Sequence, residues 1–287
     1  MVEALLSEGG VALARWVSFV GTLLAIGVVM LRRVAPEDCA TPNVHRIARS
    51  AGWCLLVGSV LRMSQQALLF APAPEEALGM VGTLVAMPWG YAWMVQVAAS
   101  LVLVVAPRRV AVPQPPLTGT LVALAMAFVA AFQGHAVGSE RLTTLAILAD
   151  GVHVLAGGIW LGTLAVMLLA TFRRRDVAIA DVVGRFHPVA LAGAFLVVVS
   201  GVFGSWLHVT PLSALWQSPY GLMLVRKLVV FAVIVAIGAL NWKRLTPRLR
   251  EASAVAQLRR AATFEVLAGT LLLLLTAYLV ATPLPGE

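Results

Sequence analysis

Charge is what this chain of 287 residues has least of: 12% of its residues are Asp, Glu, Lys or Arg, against 60% that are hydrophobic. An average soluble domain carries about twice that share of charged side chains. The shortage excludes a water-solvated globule and makes lipid the solvent. Cysteine is nearly missing, and Cys39 and Cys54 give neither a CxxC pair nor a disulfide framework. No phosphate-cradling glycine loop, nucleophile elbow or HExxH pair is present. Hydrolytic chemistry loses its usual machinery, and the chain is expected not to be an enzyme. There is also no polar domain on which the net charge of +8 could gather. The basic residues lie between long apolar runs, so they read as topology signals and no nucleic-acid partner is expected.

What the chain does have is long apolar runs, and a bilayer crossing needs about 20 such residues. Helices are predicted near 9–31, 46–70, 89–106, 117–137, 142–172, 186–209, 220–243 and 257–281. The fold class is therefore all-α: a polytopic integral membrane protein of about eight transmembrane helices, forming a single membrane domain over 1–287 with no soluble domain. The breaks hold the helix-ending prolines: Pro36, Pro42, Pro72, Pro74, the stretch from Pro107 to Pro116, Pro211, Pro219 and Pro247. The first run has arginines after it and no small-residue cleavage site, so it reads as a retained helix.

Arg32, Arg33, Arg46, Arg49, Arg108, Arg109, Arg173, Arg174, Arg175, Arg185, Lys243, Arg244, Arg248, Arg250, Arg259 and Arg260 all fall in or beside alternate connections. Those connections are cytoplasmic by the positive-inside rule. The opposite connections hold Glu75, Glu76 and Glu140 with the single Arg141, so both termini are expected outside, as an even helix count requires. A four-plus-four duplication is a further candidate feature. Pro88-Trp89-Gly90 resembles Pro219-Tyr220-Gly221, and Arg15 to Gly27 can be laid on Asp150 to Gly162. Ser18 then matches His153 and Gln96 matches Lys227.

Ionisable residues inside a bilayer are costly, and each is a functional candidate by default. Counted at about 1.5 Å per residue, Arg15, Arg62, Gln65, Gln66, Gln96, Gln133, His135, Asp150, His153, His208, Arg226 and Lys227 all fall in the outer third. The inner half holds little beyond Asn241 and Glu265. Such a one-sided polar slab suggests a cavity open to the outside. Asp150 and His153, three residues apart, share a helix face, so Asp150 can orient the imidazole or supply a second ligand. Trp160 lies two turns deeper on that face, and Gly151, Gly157, Gly158 and Gly162 strip the helix for close approach. His135 ends the fourth helix one short loop earlier, and His208 closes the sixth on the same side. His135, His153 and His208 are the candidate metal ligands, with Asp150, Trp160, Met223 and Lys227 around them. Met63, Met80, Met87, Met94 and Met223 also lie outward, and thioethers suit Cu(I), while imidazole suits either oxidation state of copper.

The run Asp150-Gly-Val-His153-Val-Leu-Ala-Gly-Gly-Ile-Trp160-Leu-Gly162 resembles the His-then-Trp-x-Gly helix of the CopD family of copper-resistance membrane proteins. Arg185-Phe186, Ser200-Gly201, Pro219-Tyr220-Gly221 with Lys227, and Asn241 with Pro247 follow in the family's order, over about 100 residues. The resemblance implies an eight-helix protein of the bacterial inner membrane. Such a protein takes copper, as Cu(I) or Cu(II), at the periplasmic face and moves it inward, often beside a periplasmic CopC-like carrier. Because the outward connections are short, that carrier is expected as a separate protein. One feature resists this reading. Arg15, Arg62, Arg226 and Lys227 outnumber Asp150 in the outer slab and would repel a cation. Facing a cavity, they would suit the propionates of a b-type haem with histidine axial ligands, which makes a haem-binding redox protein the alternative.

Overall fold

The computed structural model describes residues 2–36, 42–105, 116–138, 142–170, 179–249 and 251–285. Among them all regular structure is helical, in the order α1 (Val2–Leu6), α2 (Glu8–Val34), α3 (Pro42–Phe70), α4 (Ala77–Val85), α5 (Pro88–Val105) and α6 (Pro116–Phe132). The second part continues with α7 (Thr143–Gly157), α8 (Thr163–Ala170), α9 (Ile179–His208), α10 (Ala214–Gln217), α11 (Pro219–Arg244) and α12 (Ala252–Ala281). A π-helical turn at Gly158–Gly162 joins α7 to α8, so Thr143–Ala170 is one span. Seven helices are long and apolar enough to cross a membrane, and Gly119–Phe132 of α6 is a shorter apolar helix. The seventeen residues of α6 reach about 25 Å, near the lower limit for a bilayer core. The chain is an all-α, multi-pass membrane protein.

Local chemistry explains the helix ends. Ser7 opens α2 and Ser218 opens α11, each hydroxyl accepting a backbone N–H two or three residues into the helix: Gly10 at 3.1 Å and Gly221 at 3.0 Å. Pro219 occupies the first turn of α11, where its missing N–H costs nothing. The fourth span differs from its prediction. It stops at Phe132, because Gln133 and Gly134 break the ladder, and His135–Gly138 form a separate 3-10 turn.

Apolar side chains cover the outside of the bundle as well as its core. Leu191, Phe195, Val202 and Trp206 of α9 and Leu228, Val229 and Leu240 of α11 are exposed, as lipid-facing residues must be. Inside, Leu31, Val44, Val166, Met167, Val182 and Ile234 form the main apolar cluster, with small residues at the closest helix crossings. Helix α2 runs through the centre, against α3, α6, α7, α8 and α12. Its Gly27 meets Gly162 so closely that a methyl on either residue would collide with backbone of the other helix.

In the four-plus-four superposition Gly27 would fall on Gly162, and each lies nineteen residues into its span. Gly90 and Gly221 also repeat a device. Each lets the end of a short helix, α4 or α10, rest on the first turn of the following span, where a side chain would strike Leu84 or Ala214. Helices α3 and α5 pack closely, whereas their counterparts α9 and α11 hardly touch along their backbones. Large side chains fill part of that gap at its inner end, where His187 stacks on Trp242 with centroids 4.8 Å apart.

Candidate metal-handling site

His153 stands where α7 crosses α9. Its Nδ1 lies 3.0 Å from Ser200 Oγ, and a Cβ at Gly201 would already touch the ring at 3.4 Å. Gly201 is thus what admits an imidazole between the helices. Ser200 Oγ donates to the Leu196 carbonyl at 2.5 Å, so towards His153 it acts as acceptor. With Nδ1 donating to Ser200, the neutral ring carries its proton there and leaves the Nε2 lone pair for a ligand.

The i, i+3 spacing offered Asp150 as the group orienting this ring, but Ser200 holds it instead. Asp150 turns towards the loop after α6, with Oδ2 3.5 Å from where a Cβ on Gly134 would stand. It therefore lies against the backbone that carries His135, whose own side chain is outside the described residues. Lys227 acts electrostatically on both Asp150 and His153, and Asp150 acts on Tyr220. Lys227 forms no hydrogen bond or direct ion pair among the described residues, whereas its first-half counterpart Gln96 donates to Ser59 Oγ at 2.9 Å and the Leu55 carbonyl at 3.4 Å.

The remaining candidates frame this centre. Trp160 is buried one helix turn pair deeper, against Gly193 of α9, and its ring meets Phe231 edge to face at 5.9 Å. Met223 precedes Lys227 by one turn of α11 and packs with Val209, Ala214, Tyr220 and Leu279. His208 closes α9, seven residues and so about 10 Å outward of the Gly201 contact. It marks a second position along the same helix, about two turns from the Gly201 contact. Among the described residues no three His, Cys, Asp or Glu side chains gather as a metal cluster.

Ser200 and the π-helical turn are the residues that sequence reasoning passed over as functional. Ser200-Gly201 could have been found by asking which small residues on the sixth span allow a histidine of the fifth to enter. The turn leaves no comparable mark beyond the glycines at Gly157, Gly158 and Gly162.

Residues 180–279 match the family described as Copper resistance protein D, and residues 5–144 match the Copper resistance protein D-like, N-terminal domain. The chain belongs to the CopD family. It is also 28% identical over 161 residues to the Copper transport protein CutJ of Bacillus subtilis (strain 168), an alignment covering 55% of this chain and 29% of that protein. The chain thus spans less than a third of the length of this relative. No solved structure matches. The family assignment makes this a copper-related membrane protein, and the half that carries His153, Ser200 and Lys227 includes the CopD match proper.

Proposed function

We propose that this CopD-family protein takes copper at the periplasmic face of a bacterial inner membrane and passes it into or across the bilayer. Copper is here the cargo. The observation that carries this reading is His153, an imidazole inside the outer half of a membrane helix whose Nδ1 is engaged by Ser200 and whose Nε2 is left for a ligand. The loop bearing His135 rests against Asp150, three residues away on the same helix. His135 and His153 then form the first pair of ligands, with Asp150 as a third oxygen donor or a neighbouring counter-charge. His208 receives the ion further out, nearer a separate periplasmic CopC-like carrier.

Neutral imidazoles and a nearby thioether favour copper over hard cations. Lys227 keeps resident cations away, and an arriving copper ion must outcompete its ammonium for Asp150. Inward of His153, Trp160 and Phe231 form an apolar floor. The ion is therefore handed on by movement of the loosely packed α9 and α11 rather than along a fixed ladder of donors. The similarities are to copper proteins, and none of them supports the haem alternative.

The test is copper accumulation in cells expressing the protein, compared with His153→Ala produced at equal membrane abundance. The proposal predicts accumulation with the parent protein and its loss in the variant. Equal accumulation in both would refute it.

A further inference from the structure

The first four helices carry their own polar centre at the outer face, and its charge is opposite to what a copper site needs. Arg62 of α3 is 7% exposed. Its Nη1 donates to Gln133 Oε1, and its guanidinium lies over the Trp89 ring, 5.7 Å from the centroid. Arg15 of α2 donates to the Val280 carbonyl of α12 and is close enough to act electrostatically on Arg62. No acid touches either side chain among the described residues. Asp150, just across Gly134 from Gln133, acts on Lys227 and on neither guanidinium.

Two like charges gathered in a low-dielectric wall repel each other unless a counter-charge joins them. Each guanidinium has five N–H donors, and the contacts above use one of them on each. The four-plus-four superposition sharpens the contrast. Arg15 stands where the second half has Asp150, and Ser18 where it has His153.

We propose that Arg15 and Arg62 form an anion site for a phosphate group at the outer face of the first repeat. Paired guanidinium forks match the tetrahedral oxygens of phosphate better than they match a spherical ion. The group is either the headgroup of an acidic phospholipid or free phosphate, since both present the same oxygens. Its negative charge offsets the fixed cations at the outer mouth, through which a copper ion would approach.

The test uses the unaltered protein in neutral detergent. Arginine modification by phenylglyoxal is followed peptide by peptide, with inorganic phosphate, with phosphatidylglycerol in the micelle, or with chloride at matched ionic strength. Modification of Arg15 and Arg62 should slow about tenfold, the scale of one charge-assisted contact, while the exposed Arg226 reacts unchanged. Protection by phosphatidylglycerol alone assigns the site to lipid, and protection by inorganic phosphate assigns it to the free anion. In parallel, native mass spectrometry should show one phosphatidylglycerol or phosphate retained per chain and its loss in Arg15→Gln/Arg62→Gln. Protection by neither, equal protection by chloride, or equal slowing at Arg226 would overturn the proposal.

Discussion

Replacing Ser200 with Ala removes the acceptor that fixes the His153 ring without touching a proposed ligand. The hydroxyl accepts from Nδ1 at 3.0 Å and anchors itself on Leu196. A neutral hydrogen bond of this kind contributes roughly 1 kcal/mol to stability, so the variant should remain folded. Its effect on metal affinity is larger, because a ligand histidine that loses its orienting partner typically costs 10- to 100-fold. Gly201 still confines the ring, which places the expected loss near the lower limit, about tenfold. Competition with a chromogenic copper chelator reads the affinity, and thermal unfolding in detergent reads the stability. An unchanged copper affinity at unchanged fold would show that Ser200 does not position a ligand. A collapse in stability of several kcal/mol would show that its role is structural.

Other predictions follow from single contacts. Gly162→Ala forces a methyl into the backbone of α2, an overpacking cost of about 1–3 kcal/mol with no flexible side chain to yield; Gly157→Ala, five residues earlier and facing open space, should leave the unfolding temperature unchanged, and equal stability of the two variants would refute the crossing. Lys227→Met should destabilise the protein much less when Asp150 is also Asn, and additive losses in that double-mutant cycle would show that the charges are uncoupled. Reporters fused after Arg175 and Arg250, which lie outside the described residues, should be cytoplasmic and those near Glu76 and Glu140 periplasmic; the reverse would move the site to the other compartment.

Most of the fold was legible because lipid imposes one rule on every span: twenty apolar residues between breakers. The helices follow the predicted spans except at the early end of α6 at Phe132, the early starts of α9 and α12, and the short helices α4 and α10. Helix α9 begins at Ile179, earlier than expected, because its first turns are amphipathic: Ile179, Val182, Val183 and Phe186 pack into the main apolar cluster while Asp181 and Arg185 are exposed. The short α4 and α10 lie in connections and do not span, so no span-length signal marked them.

The site was less legible. His153, Asp150 and Lys227 stood out as ionisable groups in an apolar setting, and the structure gathers them. Which group holds the His153 ring was not readable, since a helical serine can satisfy itself on its own backbone and gives no sign of a bond across helices. Arg62 and Gln133 lie 71 residues apart, and no periodicity within either helix could pair them.

The central claim is that His153 ligates copper, and equilibrium copper binding to the purified protein tests it most directly. The parent protein should bind copper stoichiometrically, and His153→Ala should lose most of that binding while remaining monodisperse. His187→Ala, stacked on Trp242 at the opposite end of α9, should bind like the parent. Copper bound as tightly by His153→Ala as by the parent would contradict the account.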